Sequence, residues 1–330
     1  MNARALRLIV IGCGRVFQRY HLPAIGATAD VQVVGACEID AARRAWAQAA
    51  LPGARLAGSV DELLRSVEAD AALITAPPAT HATLVELVLR AGLSVLVEKP
   101  MAVTPREARR VCELQQETGR VLRVGFNRRY RADYVRLRER ARDGVGTIAF
   151  TFIADARRWN PGAAATAPFV LHDAGSHALD LVAHVARRRI ERVRATVQDG
   201  TDGCIVNIEA ELAGGATAAC RVGHAPRYQE YLAVTAAGRV HRAVASPGPL
   251  HRAKLAFCKI TGRPTPTAES FRAQLAGFVA ACRAEADQVG ADAADGLASV
   301  AAVDAALRSL AGAGDWRAPT DPTGMGESLQ

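Results

Sequence analysis

Four short apolar runs rich in β-branched residues mark the first hundred residues: LRLIVIG (6–12), VQVVGACE (31–38), AALIT (71–75) and SVLVE (94–98). None alternates with polar residues, which is the pattern of strands buried on both faces of a parallel sheet. Helix-like segments lie between them, and their starts are signalled. Ser59 with Glu62, and Thr104 with Glu107, stand at capping-box spacing, and Pro105 suits a first helical position. Strand and helix in alternation predict an α/β fold built on a doubly wound parallel sheet with helices on both faces.

From about residue 147 the period changes to two. TIAFTFIADA, RVRATVQ, CIVNIEAELA, TAACRVG and YLAVTAAG alternate apolar with polar residues, as strands of an antiparallel sheet covered on one face do. A chain of 330 residues is comfortable for two domains. The change of period divides it into an N-terminal nucleotide-binding domain, 1–125, and a C-terminal α/β domain with a mostly antiparallel open sheet, 126–330.

Half of the residues are hydrophobic, enough for substantial cores, and the net charge is +8. The excess arginine is scattered, apart from clusters at Arg128-Arg129-Arg131 and Arg157-Arg158. No basic tail or aromatic-interleaved patch accompanies it, so a nucleic-acid partner is not expected and an anionic small molecule fits the balance as well. Seven cysteines stand without CxxC or metal-site spacing and read as small core residues in a reducing compartment. The opening MNARALRLIVIGCG sets basic residues before an apolar run, but the run meets glycine after about five residues instead of a cleavage site. Nothing approaches the roughly twenty apolar residues of a membrane span. A soluble, cytoplasmic protein is expected, with no membrane partner.

The glycines carry the first chemistry. Gly12 permits a tight turn out of the first strand, and Gly14 lets backbone approach a pyrophosphate at a helix N-terminus. Phe17 stands where the dinucleotide fingerprint has its third glycine, so an ordinary glycine-rich turn remains an alternative. Glu38 closes the second strand, 24 residues after Gly14, where a carboxylate accepts from an adenosine ribose and repels a 2′-phosphate. That favours NAD over NADP. Asp40 is close enough to play the same part, and Arg43 and Arg44 could soften the discrimination.

Longer motifs follow. The stretch 69–102 contains Thr75-Ala76-Pro77-Pro78, His81 a turn later, and Glu98-Lys99-Pro100 closing the next strand; VGFNRRY occupies 124–130 and HDAGSHALDL 172–181. On these residues the chain resembles the Gfo/Idh/MocA oxidoreductases, which include glucose-fructose oxidoreductase and inositol dehydrogenase. FRAQLAGFVAACRA and DGLASVAAVDAALRSL resemble the closing helices of that family. The resemblance implies a Rossmann domain holding NAD(P) on Gly12, Gly14, Arg15, Val16, Glu38, Thr75, Ala76, Pro77, His81, Glu98 and Lys99. It further implies a polyhydroxylated substrate on Lys99, Arg128, Asp173, His177 and Asp180, and a homodimer or homotetramer formed through the C-terminal sheet. Two departures stand out: Phe17 replaces a small residue, and PGAAATAPFVL (161–171) replaces the glycines that commonly precede the Asp/His helix.

Asp173, His177, Asp180 and His184 fall at i, i+4, i+7 and i+11, one helical stripe, while Leu171, Ala174, Ala178, Leu181 and Val185 make an apolar one. One face is expected to pack and the other to present its imidazoles and carboxylates to a cleft. His177 and His184 are too far apart for the usual i, i+4 metal pair, and no metal is expected. A solvated polar face is the structural alternative.

Oxidising a secondary alcohol removes a hydroxyl proton while hydride leaves carbon for nicotinamide. Histidine titrates nearest neutrality, which makes His177 the candidate base. Asp173 would orient the imidazole or hold the neighbouring hydroxyl. Lys99, one of only three lysines beside an abundance of arginine, would donate to the reacting oxygen with Glu98 and Pro100 aiming it. A lysine snorkelling at a strand end is the alternative for Lys99, a cap residue for His81, and a surface charge for Arg128. The expected reaction is hydride transfer between nicotinamide and a ring secondary alcohol or ketone of a sugar, sugar derivative or cyclitol. Reduction of a non-sugar carbonyl or imine, and a non-catalytic nicotinamide sensor, are the competing functions.

Overall fold

The computed structural model describes residues 4–320 apart from Asp143, 159–161, 163–165, 201–202, Arg227, 245–257, 259–260, 262–263 and Gln288. Two compact units emerge, each assembled from separated stretches: residues 1–130 with 268–296, and residues 131–267 with 297–330.

The first unit is built on six parallel strands in the order β3-β2-β1-β4-β5-β6. They are β1 Leu6–Ile11, β2 Val31–Cys37, β3 Arg55–Ala57, β4 Ala71–Ile74, β5 Ser94–Val97 and β6 Leu122–Val124. Strands β4 and β5 are buried along their whole length, as their unbroken apolar runs require. The order is that of the doubly wound dinucleotide fold. Local helix signals hold. Ser59 accepts from Glu62 N, Thr104 and Glu107 form a reciprocal capping box, Pro105 opens the helix Pro105–Thr118, and Gly119 closes it in the left-handed conformation.

Phe17 is fully buried and packs edge-on against Trp46 at 6.5 Å. The turn it opens, Phe17–His21, is a π-helix, wider than the α-turn expected there. The unit is completed from far along the chain. Phe271, Leu275 and Phe278 of the helix Pro266–Cys282 join a core with Leu8, Val10 and Phe17, and Phe271 stacks on Tyr20 at 4.8 Å. Asn127 Nδ2 donates to Ser270 Oγ, and Arg129 pairs with Asp295 at 2.9 Å.

The second unit carries a mixed, mostly antiparallel sheet in the order β12-β11-β7-β10-β9-β8. Its strands are β7 Val145–Ala154, β8 Ile190–Gly200, β9 Gly203–Leu212, β10 Ala216–His224, β11 Gln229–Ala236 and β12 Arg239–Val244. Only β7 and β10 run parallel. The alternation is observed directly: Val206, Ile208, Ala210 and Leu212 of β9 are buried, and they pack with Leu181, Val182 and Val185 of the helix Ser176–Ala186. The helix Ala293–Ala311 covers the same core through Ala302, Val303 and Ala306. On the opposite face β8 and β9 exchange exposed ion pairs, Arg192 with Glu211 and Arg194 with Glu209, with both guanidiniums over Trp316.

The arginine cluster at 128–131 is largely interior. Arg129 is 4% exposed and Arg131 6%. Arg131 pairs with Glu230 at 3.0 Å and Asp133 at 2.7 Å, and Glu230 also accepts from the Tyr134 and Tyr228 hydroxyls. A buried charge is tolerated only when paired and hydrogen-bonded; the partner acid lies 99 residues on, beyond the reach of local pattern. Among the described residues, no helix is long and apolar enough to cross a membrane.

Candidate functional site

In a parallel sheet every strand ends at the same edge, so the segments after β1, β2, β4 and β5 converge there. These carry the residues expected to hold a dinucleotide. Gly12 has φ +92°, and a Cβ on it would stand 2.8 Å from Ala76 N and 2.9 Å from the Thr75 carbonyl carbon. Both the turn and the close approach demand glycine. Thr75 Oγ1 locks the contact by donating to Gly12 O. At Gly14 a Cβ would meet nothing within 4 Å. That open space beside a helix start is the cradle a pyrophosphate needs. Arg15, exposed, and Val16, half-buried, form the first helical residues beyond it.

Glu38 is 5% exposed and held on the glycine loop, not in solvent. Its Oε2 accepts from Cys13 N at 2.8 Å and its Oε1 from Asp40 N at 3.0 Å, with Arg43 Nη2 3.4 Å away. Burial alone would push the carboxyl up, but these backbone donors and Arg43 hold it below the usual carboxylate range. Asp40 instead caps the helix Ala41–Ala50, accepting from Arg43 N. Arg44 donates to the Glu38 carbonyl. Burial pushes the Cys13 thiol, between the two glycines, up to about 12, with Glu38 adding to the effect, so it stays a thiol.

His81 is 1% exposed, so it is no surface cap. Its Nδ1 lies 2.7 Å from Pro100 O and its Nε2 2.8 Å from Ala76 O, tying the Thr75-Ala76-Pro77 loop to the segment after β5. Burial pushes this imidazole down, towards the neutral form. Pro77 itself is exposed. Glu98 and Lys99 close β5, both half-buried, and the Lys99–Pro100 peptide is cis. Glu98 Oε2 accepts from Lys99 N, and Oε1 pairs with His21 Nε2 at 2.7 Å. His21 is absent from the sequence reading. It sits 77 residues from its partner, and only its place in the turn after the glycine loop could have suggested it. Arg128 lies half-buried in a 3-10 turn, Asn127–Tyr130, of this same unit.

The second unit gathers Asp173, His177 and Asp180. The expected single stripe is altered in two ways. Asp173 belongs to a π-turn, Leu171–Gly175, in which Ser176 N donates to Leu171 O. One extra residue in the turn breaks the simple i, i+4 register with His177. The helix Ser176–Ala186 is also buried all round its first two turns, with His177 7% and Asp180 4% exposed. These are interior groups and not a solvated face. Phe152 stands edge-on to the His177 ring at 6.5 Å. His184 is half-buried, and its carbonyl accepts from Arg138 Nε. Of the segment 161–171 that precedes these residues, 161 and 163–165 lie outside the described residues, and Ala167–Val170 forms a short helix. Asp173 Oδ2 lies 3.0 Å from Nε2 of His224, a second residue the sequence reading missed. Arg157 is engaged by Asp155 in a bidentate pair. Among the described residues no three His, Cys, Asp or Glu side chains are grouped to hold a metal ion.

Residues 6–126 match the model of an oxidoreductase family with an NAD-binding Rossmann fold, Gfo/Idh/MocA. D-glucoside 3-dehydrogenase of Escherichia coli K12 is 32% identical over 48% of this chain, and the chain spans about half of that relative's length (45%). Inositol 2-dehydrogenase of Leifsonia xyli subsp. xyli is 29% identical across 92% of this chain and 93% of its own. The crystal structure of scyllo-inositol dehydrogenase from Lactobacillus casei, with bound NAD(H) and scyllo-inositol, superposes with a TM-score of 0.80 at 17% identity, covering 96% and 99% of the two chains. At that identity the likeness establishes the fold.

Proposed function

We propose that this chain, whose residues 6–126 match the model of the Gfo/Idh/MocA oxidoreductase family, is a member of that family and an NAD-dependent dehydrogenase acting on a ring secondary alcohol of a sugar, sugar derivative or cyclitol. The observation that carries the reading is the burial of His177 and Asp180 beside Asp173. Titratable side chains removed from water cost free energy, and a cluster of them on one helix and its leading turn is the signature of a site rather than of packing.

The loop Gly12–Val16 would take the pyrophosphate, and Glu38, held ionised, would accept from the adenosine ribose; Thr75, Ala76 and Pro77 flank that edge and His81 fixes their loop. When bound, the nicotinamide supplies the hydride acceptor or donor. The chain's own part is proton and charge handling. His177 removes the hydroxyl proton, and Lys99 donates to the oxygen as alkoxide character develops there. Asp173 and Asp180 hold neighbouring hydroxyls, and Arg128 adds donors suited to a polyol. Glu98, fastened by His21, fixes the backbone that carries Lys99.

The inositol and glucoside dehydrogenases among the relatives support the substrate class. The seven free cysteines fit a reducing cytoplasm. For self-association we assign the outer face of the second sheet, where Thr147, Ala149, Thr217 and Ala219 of β7 and β10 offer short side chains between charged margins; light scattering in solution tests it. For the activity, a panel of free sugars, inositols and sugar nucleotides is followed at the NADH absorbance band. At least one polyol should turn over, and His177→Ala should cost about 10²- to 10⁴-fold in kcat. Bound NADH with no polyol turned over would refute the enzyme in favour of a nicotinamide sensor. Undiminished activity in His177→Ala would point to a carbonyl or imine reductase.

A further inference from the structure

The proposed chemistry leaves one buried imidazole of the second unit without a part. His224 ends β10, is 5% exposed, and meets Asp173 Oδ2 through Nε2 at 3.0 Å. A carboxylate can only accept, so Nε2 carries the proton and donates. Such a charge-assisted bond is among the stronger ones.

The imidazole is mounted on the sheet. His224 pairs with Cys204 on β9 and with Ala154 on β7, so its backbone is held from both sides of the sheet. Two glycines let the strands close in. A Cβ on Gly203 (φ +147°) would fall 2.0 Å from His224 O, and one on Gly223 would fall 2.7 Å from Cys204 O. The Phe169 ring stands at 5.0 Å, inclined 65°, against the imidazole. Asp173 belongs to the π-turn Leu171–Gly175, which leads into the helix carrying His177.

Resting on the reading above, we propose that His224 is a positioning residue for the reaction: it holds Asp173 Oδ2, so that the carboxylate faces the substrate in a set orientation one turn before His177. Preorganisation of this kind is realised in the transition state more than in ground-state binding, because the carboxylate's alignment matters most when the hydroxyl proton moves. Its loss is read in kcat before KM.

Three variants test it. His224→Phe keeps a ring and removes the donor, and should lower kcat about 10- to 100-fold, with polyol KM within about twofold. NADH affinity, which depends on the other unit, should be unchanged, and that binding together with the melting temperature reports folding. His224→Gln offers an amide donor and should recover most of the lost kcat. Histidine ¹⁵N spectra of the full-length protein give a readout that needs no turnover. The His224 Nε2 resonance should report a protonated nitrogen and should move in Asp173→Asn. Wild-type kcat in His224→Phe, no advantage of His224→Gln over His224→Phe, or an unmoved His224 resonance in Asp173→Asn would each overturn the proposal. A wild type that turns over no polyol sinks the functional reading instead, and the spectra then decide whether His224 holds Asp173.

Discussion

Two alanine substitutions two residues apart, Gly12→Ala and Gly14→Ala, should fail in opposite ways. At position 12 the added methyl meets backbone, 2.8 Å from Ala76 N and 2.9 Å from the Thr75 carbonyl carbon, on a residue whose φ of +92° already excludes most side chains. A left-handed conformation costs an L residue about 1–2 kcal/mol, and forcing a methyl into packed structure costs about 1–3 kcal/mol more. The sum, about 2–5 kcal/mol, corresponds to a fall in melting temperature on the order of 10 °C for a domain of this class. At position 14 the methyl meets nothing within 4 Å and φ is not positive, so stability should change by under about 1 kcal/mol, in the stabilising direction. The same methyl would occupy the proposed pyrophosphate path and weaken NADH about 10- to 100-fold. Thermal melting without cofactor and calorimetric titration with NADH separate the two. A Gly14→Ala protein that binds NADH like the wild type would refute the cradle, and a Gly12→Ala protein that melts with the wild type would refute the close-approach argument.

Other expectations follow from the same contacts. NADH should bind markedly more tightly than NADPH in calorimetry, because Glu38 is held ionised where a 2′-phosphate would sit; the reverse order would transfer the specificity to Arg43. Glu38→Gln should lower the melting temperature at neutral pH and converge with the wild type in acid. The reason is that the Glu38 carboxyl is held below its unfolded value of 4.5, so its contribution is present above that value and is lost as pH falls through the lower folded one. A gap that did not narrow as pH falls below 4.5 would contradict this. Glu230→Ala leaves the Arg131 guanidinium buried beside a lost partner and should cost about 3–5 kcal/mol in denaturant unfolding. Arg192→Ala on the exposed β8–β9 pair should cost far less, because solvent screens that pair, and equal losses would show that burial does not set the scale.

The sequence announced β1, β2, β4 and β5 because each is a run of apolar residues long enough to read without its neighbours. It did not announce β3 or β6, each of three residues, nor β12, whose Arg239-Val240-His241-Arg242 looks like a loop until β11 pairs with it. The π-turns at Phe17–His21 and Leu171–Gly175 have no periodic signature of their own. The burial of Arg129 and Arg131 had no signal in the sequence, because their acidic partners, Asp295 and Glu230, are distant in the chain.

The difference between the two units follows from their sheets. In a parallel doubly wound sheet, knowing that β1, β2, β4 and β5 exist already fixes which chain segments meet, since all four end at one edge. Gly12, Glu38, Thr75 and Lys99 could therefore be grouped from strand endings alone, and Glu38 touching Cys13 N follows from β1 and β2 being neighbours. A mixed sheet carries no such rule. Strands β9 and β10 form a hairpin, β10 then runs parallel to β7, and only that register sets His224 opposite Ala154 and Cys204 and within reach of Asp173. Local periodicity contains the strands of that sheet but not their order, and the polar partners of a buried site are decided by the order. Asp173 and His177 could be named because they stand four residues apart in the sequence, whereas the imidazole that meets Asp173 had to come from the fold.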